Sequence, residues 1–306
     1  MLIALVDTWQ PGWNPIADFL FLLHYHFMQN AYIAGTLVAV SAGLMGYFMV
    51  LRNQSFAGHS LANVGFAGAT GAALFGIPPI IGLFVAGLLA AVGIQMLNQA
   101  SRQSRQSDIA VGAVFTASLA LGFLFTYLST QYAASVYNVL FGNALGISDA
   151  DVRLIVWSTL ALMVILALIA RPLFFASLDP DVATARGVPV RMLSLGYLVL
   201  LALVVAVAVQ VVGVLLIFAL LVTPAAIAHT VTAKPLVAAL IAVALAFSFT
   251  WLGLAAGFFT PYPVSFFITT FAFGTYVLVR AARLLRTRAR RQRQESLPLA
   301  HKGGAA

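Results

Sequence analysis

The chain contains no cysteine, which excludes a disulfide framework and a thiolate metal site and leaves the redox compartment unreadable. Charge is almost as scarce: 8% of the 306 residues are Asp, Glu, Lys or Arg, while 62% are hydrophobic. Soluble domains are about one quarter charged, so there are too few charges to cover a water-facing surface. The eight acidic residues are Asp7, Asp18, Asp108, Asp149, Asp151, Asp179, Asp181 and Glu295, and none lies in the middle of an apolar run. Proton- and ion-coupled carriers use an ionisable group inside the membrane, and the candidate well inside a run here is His59. No glycine-rich phosphate loop ending in Gly-Lys-Ser/Thr occurs, so the chain does not grip ATP in that way. Asp7, Pro11 and Pro15 interrupt the first apolar runs and no basic region leads them, so no cleaved leader is expected.

Apolar sequence is what the chain has in quantity. A membrane-crossing helix takes about twenty mostly apolar residues. Cutting the chain at charges, prolines and glycine-rich turns predicts an all-α polytopic bundle of about nine spans, eight being the alternative, near 28–51, 54–76, 79–97, 109–129, 151–170, 191–210, 211–231, 236–257 and 263–282. The run 191–231 is twice one span and is divided at the polar Gln210. A permease domain over 28–282 results, preceded by an interfacial segment 1–27 and followed by a basic tail 283–306. Trp9, Trp13, His24, Tyr25 and His26 suit the first segment to a membrane interface; a two-histidine metal capture point is the alternative.

Arg52, Arg102, Arg105, Arg171, Arg186, Arg191, Lys234 and the tail fall on one side of a nine-span bundle. The positive-inside rule makes that side cytoplasmic and puts the N-terminus outside. Arg153 is the exception, with Asp149 and Asp151 beside it as interfacial partners. Seven arginines between Arg280 and Arg293 lie beside an apolar span, which fits an anchor on anionic lipid and not a nucleic-acid interface.

Two stretches carry candidate function. In "GHSLANVGFAG", residues 58–68, His59 and Asn63 share one helical face, beside a stripe of Gly58, Ala62, Gly65 and Ala69. The pair is either a permeant-facing site or a fastener, with Asn63 bonding across a close helix contact and His59 bonding a backbone carbonyl. In "SLDPDVATARGVPVRML", residues 177–193, Asp179 is placed to cap a helix that Pro180 starts, and Asp181 favours its positive end. Gly187 can end that helix and Pro189 stops it running on. The outcome is a stiff elbow between two spans, either a docking point or an ordinary capped turn. Pro224 should kink the seventh span as a hinge or a static bend, and His229 sits near that span's end.

These stretches, with "GYFMVLRNQSFAG", "SDIAVGAVFTASLALG", "NVLFGNALGIS" and "VGVLLIFALLVTPAAIA", occur in an order that resembles the permease subunits of bacterial ABC importers for zinc, manganese and iron, the ABC-3 family, over about residues 28–280. The resemblance implies that 177–190 is the coupling helix docking into an ATPase subunit, with Asp181 and Arg186 as charged contacts and Gly187 and Pro189 holding its shape. It also implies two permease copies, an extracytoplasmic metal-binding protein and an inner-membrane location. Family members carry an aspartate and a histidine where His59 and Asn63 stand, and commonly an aspartate where Asn143 stands. His59, Asn63 and Asn143 are therefore the candidate path residues, with the carboxylates replaced by neutral groups. A bare divalent cation is poorly compensated by such a set in low dielectric, which favours a weak site or a chelated metal. The expected function is a permease subunit, not itself an enzyme, passing a divalent transition metal (zinc or manganese first, then iron) as transported ion, with no permanent cofactor. The rival is a self-sufficient secondary transporter of a small organic solute or metal chelate.

Overall fold

Nine long helices and one short helix account for nearly all the residues that the computed structural model describes, which are 21–100, 104–129 and 138–295. In chain order they are α1 (His26–Leu51), α2 (Ser55–Leu74), α3 (Pro79–Ala100), α4 (Ser104–Leu128), α5 (Asp149–Leu178), the short α6 (Pro180–Ala185), α7 (Val190–Val212), α8 (Val214–Val231), α9 (Pro235–Phe259) and α10 (Val264–Glu295). Most of the expected interfacial segment and the end of the basic tail lie outside the described residues.

Eight of the nine long helices are long and apolar enough to cross a membrane; α2 is the exception. Its 20 residues are rich in Gly, Ala and Ser, and its packing surfaces are other helices. It is clasped between α3 and α4 and also meets α7 and α8. At the α2–α3 crossing Gly68 and Gly82 face each other so closely that a Cβ on either would strike the other's carbonyl. A helix covered in this way does not need the apolarity of one that faces lipid.

The interior is built on α1 and α7. Helix α1 packs on α5, α7, α8 and α9, while α7 packs on α1, α2, α3 and α5. Lipid-type surface lies outside: Trp157 and Leu168 of α5, Leu89 and Met96 of α3, and Leu240 of α9 are exposed. This apolar exterior, together with the eight apolar helices, defines a multi-pass membrane protein.

The structure corrects the expected cut at Gln210. Helix α7 runs on to Val212, and the reversal occurs at Gly213, whose φ of 88° and ψ of 160° are open only to glycine. Tyr197 of α7 bonds the Met45 carbonyl and Leu221 of α8 lies against Gly46, so both helices return to one level of α1. Gln210 was the polar marker available in sequence, whereas the turn is set by backbone geometry that an apolar Val-Val-Gly-Val run conceals. Two other expectations change. Helix α5 extends over 30 residues from Ser148, whose side chain and that of Asp151 form a capping box, and α10 continues past the expected end of the last span to Glu295.

Candidate functional site

Helix α2 places His59 one turn from its start, half-buried between two aromatic rings. Phe115 of α4 lies at 5.3 Å and Phe218 of α8 at 4.9 Å, the latter edge-on. The His59 Nδ1 is buried and has no hydrogen-bond partner. Asn63 is buried beneath it and donates Nδ2 to the His59 carbonyl at 2.9 Å, a bond inside its own helix. Neither bond of the fastener arrangement is therefore made: the amide nitrogen does not cross to a neighbouring helix, and Nδ1 finds no carbonyl. The small stripe beside them packs as expected, with Ala62 and Ala69 fully buried.

Asn143 lies elsewhere. It stands at the N-cap position of the 3-10 turn Ala144–Gly146, without a side-chain capping bond, on a loop that closes over the α7–α8 reversal. Its backbone N–H donates to the Gln210 carbonyl at 3.2 Å. Gly142 (φ 79°) and Gly213 press backbone against backbone there, and Ser265 Oγ bonds the Phe141 carbonyl at 2.7 Å. Beside this clasp opens a cavity of about 350 Å³ whose polar lining is Asn138, Asn143, Asp151 and Gln210. The Gln210 Oε1 is buried without a partner. The three candidate path residues thus divide into a histidine–asparagine pair among aromatics and an asparagine at the rim of a separate cavity. Among the described residues no three His or acidic side chains converge as metal ligands.

At the elbow, Asp179 Oδ1 accepts from the N–H groups of Asp181 (3.1 Å) and Val182 (3.0 Å), with Pro180 at the first turn of α6. Gly187 ends the helix at φ 83°, donating to the Thr184 carbonyl, while Val188 donates to that of Ala183. Pro189 precedes α7, and Arg186 lies 6.0 Å over the Phe175 ring. Only Ala183 of α6 is buried; Leu178, Val182 and Met192 add exposed apolar surface around it.

Sequence reasoning passed over Arg52 as anything more than a charge marking the cytoplasmic side. Its Nη1 donates to Ser177 (3.2 Å), its Nη2 to Ser194 (2.7 Å) and its Nε to Gln54 (3.3 Å), and the guanidinium lies 5.3 Å over the Tyr197 ring. Burial lowers its pKa from the ordinary value, though a guanidinium stays charged in proteins. The signal available was a lone arginine at the end of a span; Ser177, Ser194 and Tyr197, more than a hundred residues away, left none. Other expectations shift as well. His26 pairs with Asp149 at 2.8 Å instead of joining His24, and Asn30 donates to the same carboxylate at 2.6 Å. Asp151 is held by Ser148, and Arg153 acts on Asp149 through its charge without an ion-pair contact within bonding distance. His229 stacks on Tyr47 at 5.0 Å, and Pro224 lies inside α8.

A bundle of membrane-length helices, a half-buried histidine inside it and a capped, exposed elbow fit a membrane permease. The chain belongs to the ABC 3 transport family, which it matches over residues 24–283. It is similar to the manganese transport system membrane protein MntC of Halalkalibacterium halodurans, 34% identical over 69% of this chain and 72% of that one. The chelated iron transport system membrane protein YfeD of Yersinia pestis is 33% identical over 68% of this chain and 69% of its own length. Among solved structures, PsaBC from Streptococcus pneumoniae in complex with Fab superposes with a TM-score of 0.77 at 30% identity, covering 86% of this chain and 95% of that one.

Proposed function

We propose that the chain is the permease subunit of an ABC importer that moves a divalent transition metal across a bacterial inner membrane, manganese first, with iron and zinc as further candidates. The observation that carries this reading is the His59 Nδ1, a buried nitrogen with no protein partner between Phe115 and Phe218. A neutral imidazole suits iron, nickel and zinc and holds the harder manganese ion more weakly, and a permease benefits from a ligand that binds weakly enough to let go. The manganese protein of Halalkalibacterium halodurans supports the first choice of metal.

Work against a gradient then comes from a partner. The ATPase subunit docks on α6 and its flanks, where Asp181 and Arg186 are exposed and Asp179, Pro180, Gly187 and Pro189 set the shape. An extracytoplasmic metal-binding protein delivers cargo at the opposite end, beside the loop carrying Asn143. Two copies of the chain line the path, the N-terminus faces outward, and the arginines of α10 rest on anionic lipid. The permease hydrolyses no ATP itself.

A second reading, transport of a metal chelate, is favoured by the neutral surroundings of His59. Asn63 commits its amide nitrogen to the backbone and, among the described residues, no carboxylate bonds either side chain, so a cation whose charge is already offset by an organic ligand suits it better. YfeD, named for chelated iron, supports it. The test is uptake of radiolabelled manganese into cells holding the permease with its ATPase, at constant ATP, with the proton gradient present or collapsed. Uptake that persists without the gradient and is competed by free manganese supports the importer. Uptake that follows the gradient refutes it in favour of a secondary carrier, and competition by an iron chelate alone selects the second reading.

A further inference from the structure

Arg52 stands where the two stems of the α6 elbow come together. Ser177 lies just before α6, in the last turn of α5, and Ser194 lies just after it, in the first turns of α7. One guanidinium bonds both hydroxyls, through Nη1 and Nη2. Its third nitrogen bonds Gln54, the residue immediately before α2, and its face covers Tyr197, whose hydroxyl returns to the Met45 carbonyl of α1. Four elements, α1, α2, α5 and α7, therefore meet at one side chain.

The chemistry of this junction is unusual for a half-buried cation. No carboxylate answers the charge: among the described residues the ion pair within bonding distance is His26 with Asp149. The guanidinium is satisfied instead by two hydroxyls, one amide oxygen and an aromatic face. Hydrogen bonds to a charged group are stronger than neutral ones, yet each of these can be exchanged for another without stranding a buried anion. Only a planar fork reaches such partners together; a lysine ammonium is a point charge and does not. Meanwhile α6 itself is weakly tied down, with Ala183 its single buried residue and its hydrogen bonds mostly internal. A displacement of α6 has to leave through its stems.

We propose that Arg52 is the positioning residue that buckles both stems of the α6 elbow to the α1–α2 turn, so that movement imposed on α6 reaches α2 and His59. This rests on the reading that an ATPase docks at α6. Gln54 provides the final link, because α2 starts at the next residue and His59 lies one turn beyond.

The experiment uses the permease–ATPase complex reconstituted in liposomes, with manganese as cargo, reading uptake and ATP hydrolysis together. Arg52→Met should lower manganese moved per ATP hydrolysed by about tenfold or more, the scale of a lost hydrogen bond to a charged group. Arg52→Lys should not restore the ratio, and Ser177→Ala with Ser194→Ala should lower it in the same direction while keeping the charge. A cross-link from Val182→Cys to the ATPase reports docking separately, in a chain with no other cysteine. An unchanged transport ratio in Arg52→Met with the cross-link intact overturns the inference alone. Absence of the cross-link in the otherwise unaltered chain overturns the docking reading beneath it. Should Arg52→Met fail to fold, the double serine variant decides, and an unchanged ratio there overturns the inference.

Discussion

Gly213 and Gly187 both hold left-handed backbone, at φ 88° and 83°, yet the surroundings of the two differ completely. At Gly213 a Cβ would run into the backbone of Gly142, Leu140 and Phe141; at Gly187 it would meet nothing within 4 Å. Gly213→Ala therefore combines two penalties. Its backbone conformation costs a residue with a Cβ about 1–3 kcal/mol, and backbone that must move aside costs about another 1–3 kcal/mol. The sum, about 2–6 kcal/mol, is a large part of the about 5–15 kcal/mol that holds a typical domain together. Gly187→Ala incurs only the left-handed term, about 1–2 kcal/mol, at an exposed helix end. Denaturation of the two variants in mixed micelles, read by tryptophan fluorescence, should show a much larger midpoint shift for Gly213→Ala. Equal shifts would show that the Gly142–Gly213 clasp is not a tight contact and would falsify the account of the reversal. The functional consequence should be reversed: Gly187→Ala keeps the fold and lowers ATPase coupling, because α6 can no longer end where it does.

His59→Ala should reduce metal uptake by about tenfold, the scale of one lost ligand contact, with no loss of folded protein, since the Nδ1 makes no structural bond; unchanged uptake kinetics would remove His59 from the path. Asn30→Ala deletes a buried amide that donates to Ile147 and Asp149 and should destabilise the bundle by about 1–3 kcal/mol, seen as a lower melting temperature in detergent. If melting is unaffected, the loop before α5 is held by Gly142 and Ser265 without Asn30.

How far the sequence could be read depended on the range of the interaction. The α6 elbow was legible because Asp179, Pro180, Gly187 and Pro189 act within a few residues of one another, and the cap, start and stop all appear where their chemistry places them. The reversal at Gly213 was displaced to Gln210 because its cause is contact with Gly142, about seventy residues earlier. His59 was recognisable as a candidate from its isolation among apolar residues, while the aromatic cage of Phe115 and Phe218 comes from two other helices. Asn143 was grouped with His59 by resemblance, and the fold places it on a cavity that His59 does not line.

By itself the sequence determined that this is a helical membrane protein with no carboxylate in the middle of a span and a stiff elbow on its basic side. Those properties follow from composition and from contacts a turn or two along the chain, which lipid and the backbone read locally. Tertiary structure alone decided that α2 is clasped inside the bundle, that His59 Nδ1 is left without a partner, and that Arg52 joins Ser177 to Ser194. Such contacts link residues far apart in the chain, where no local pattern records which surfaces will meet.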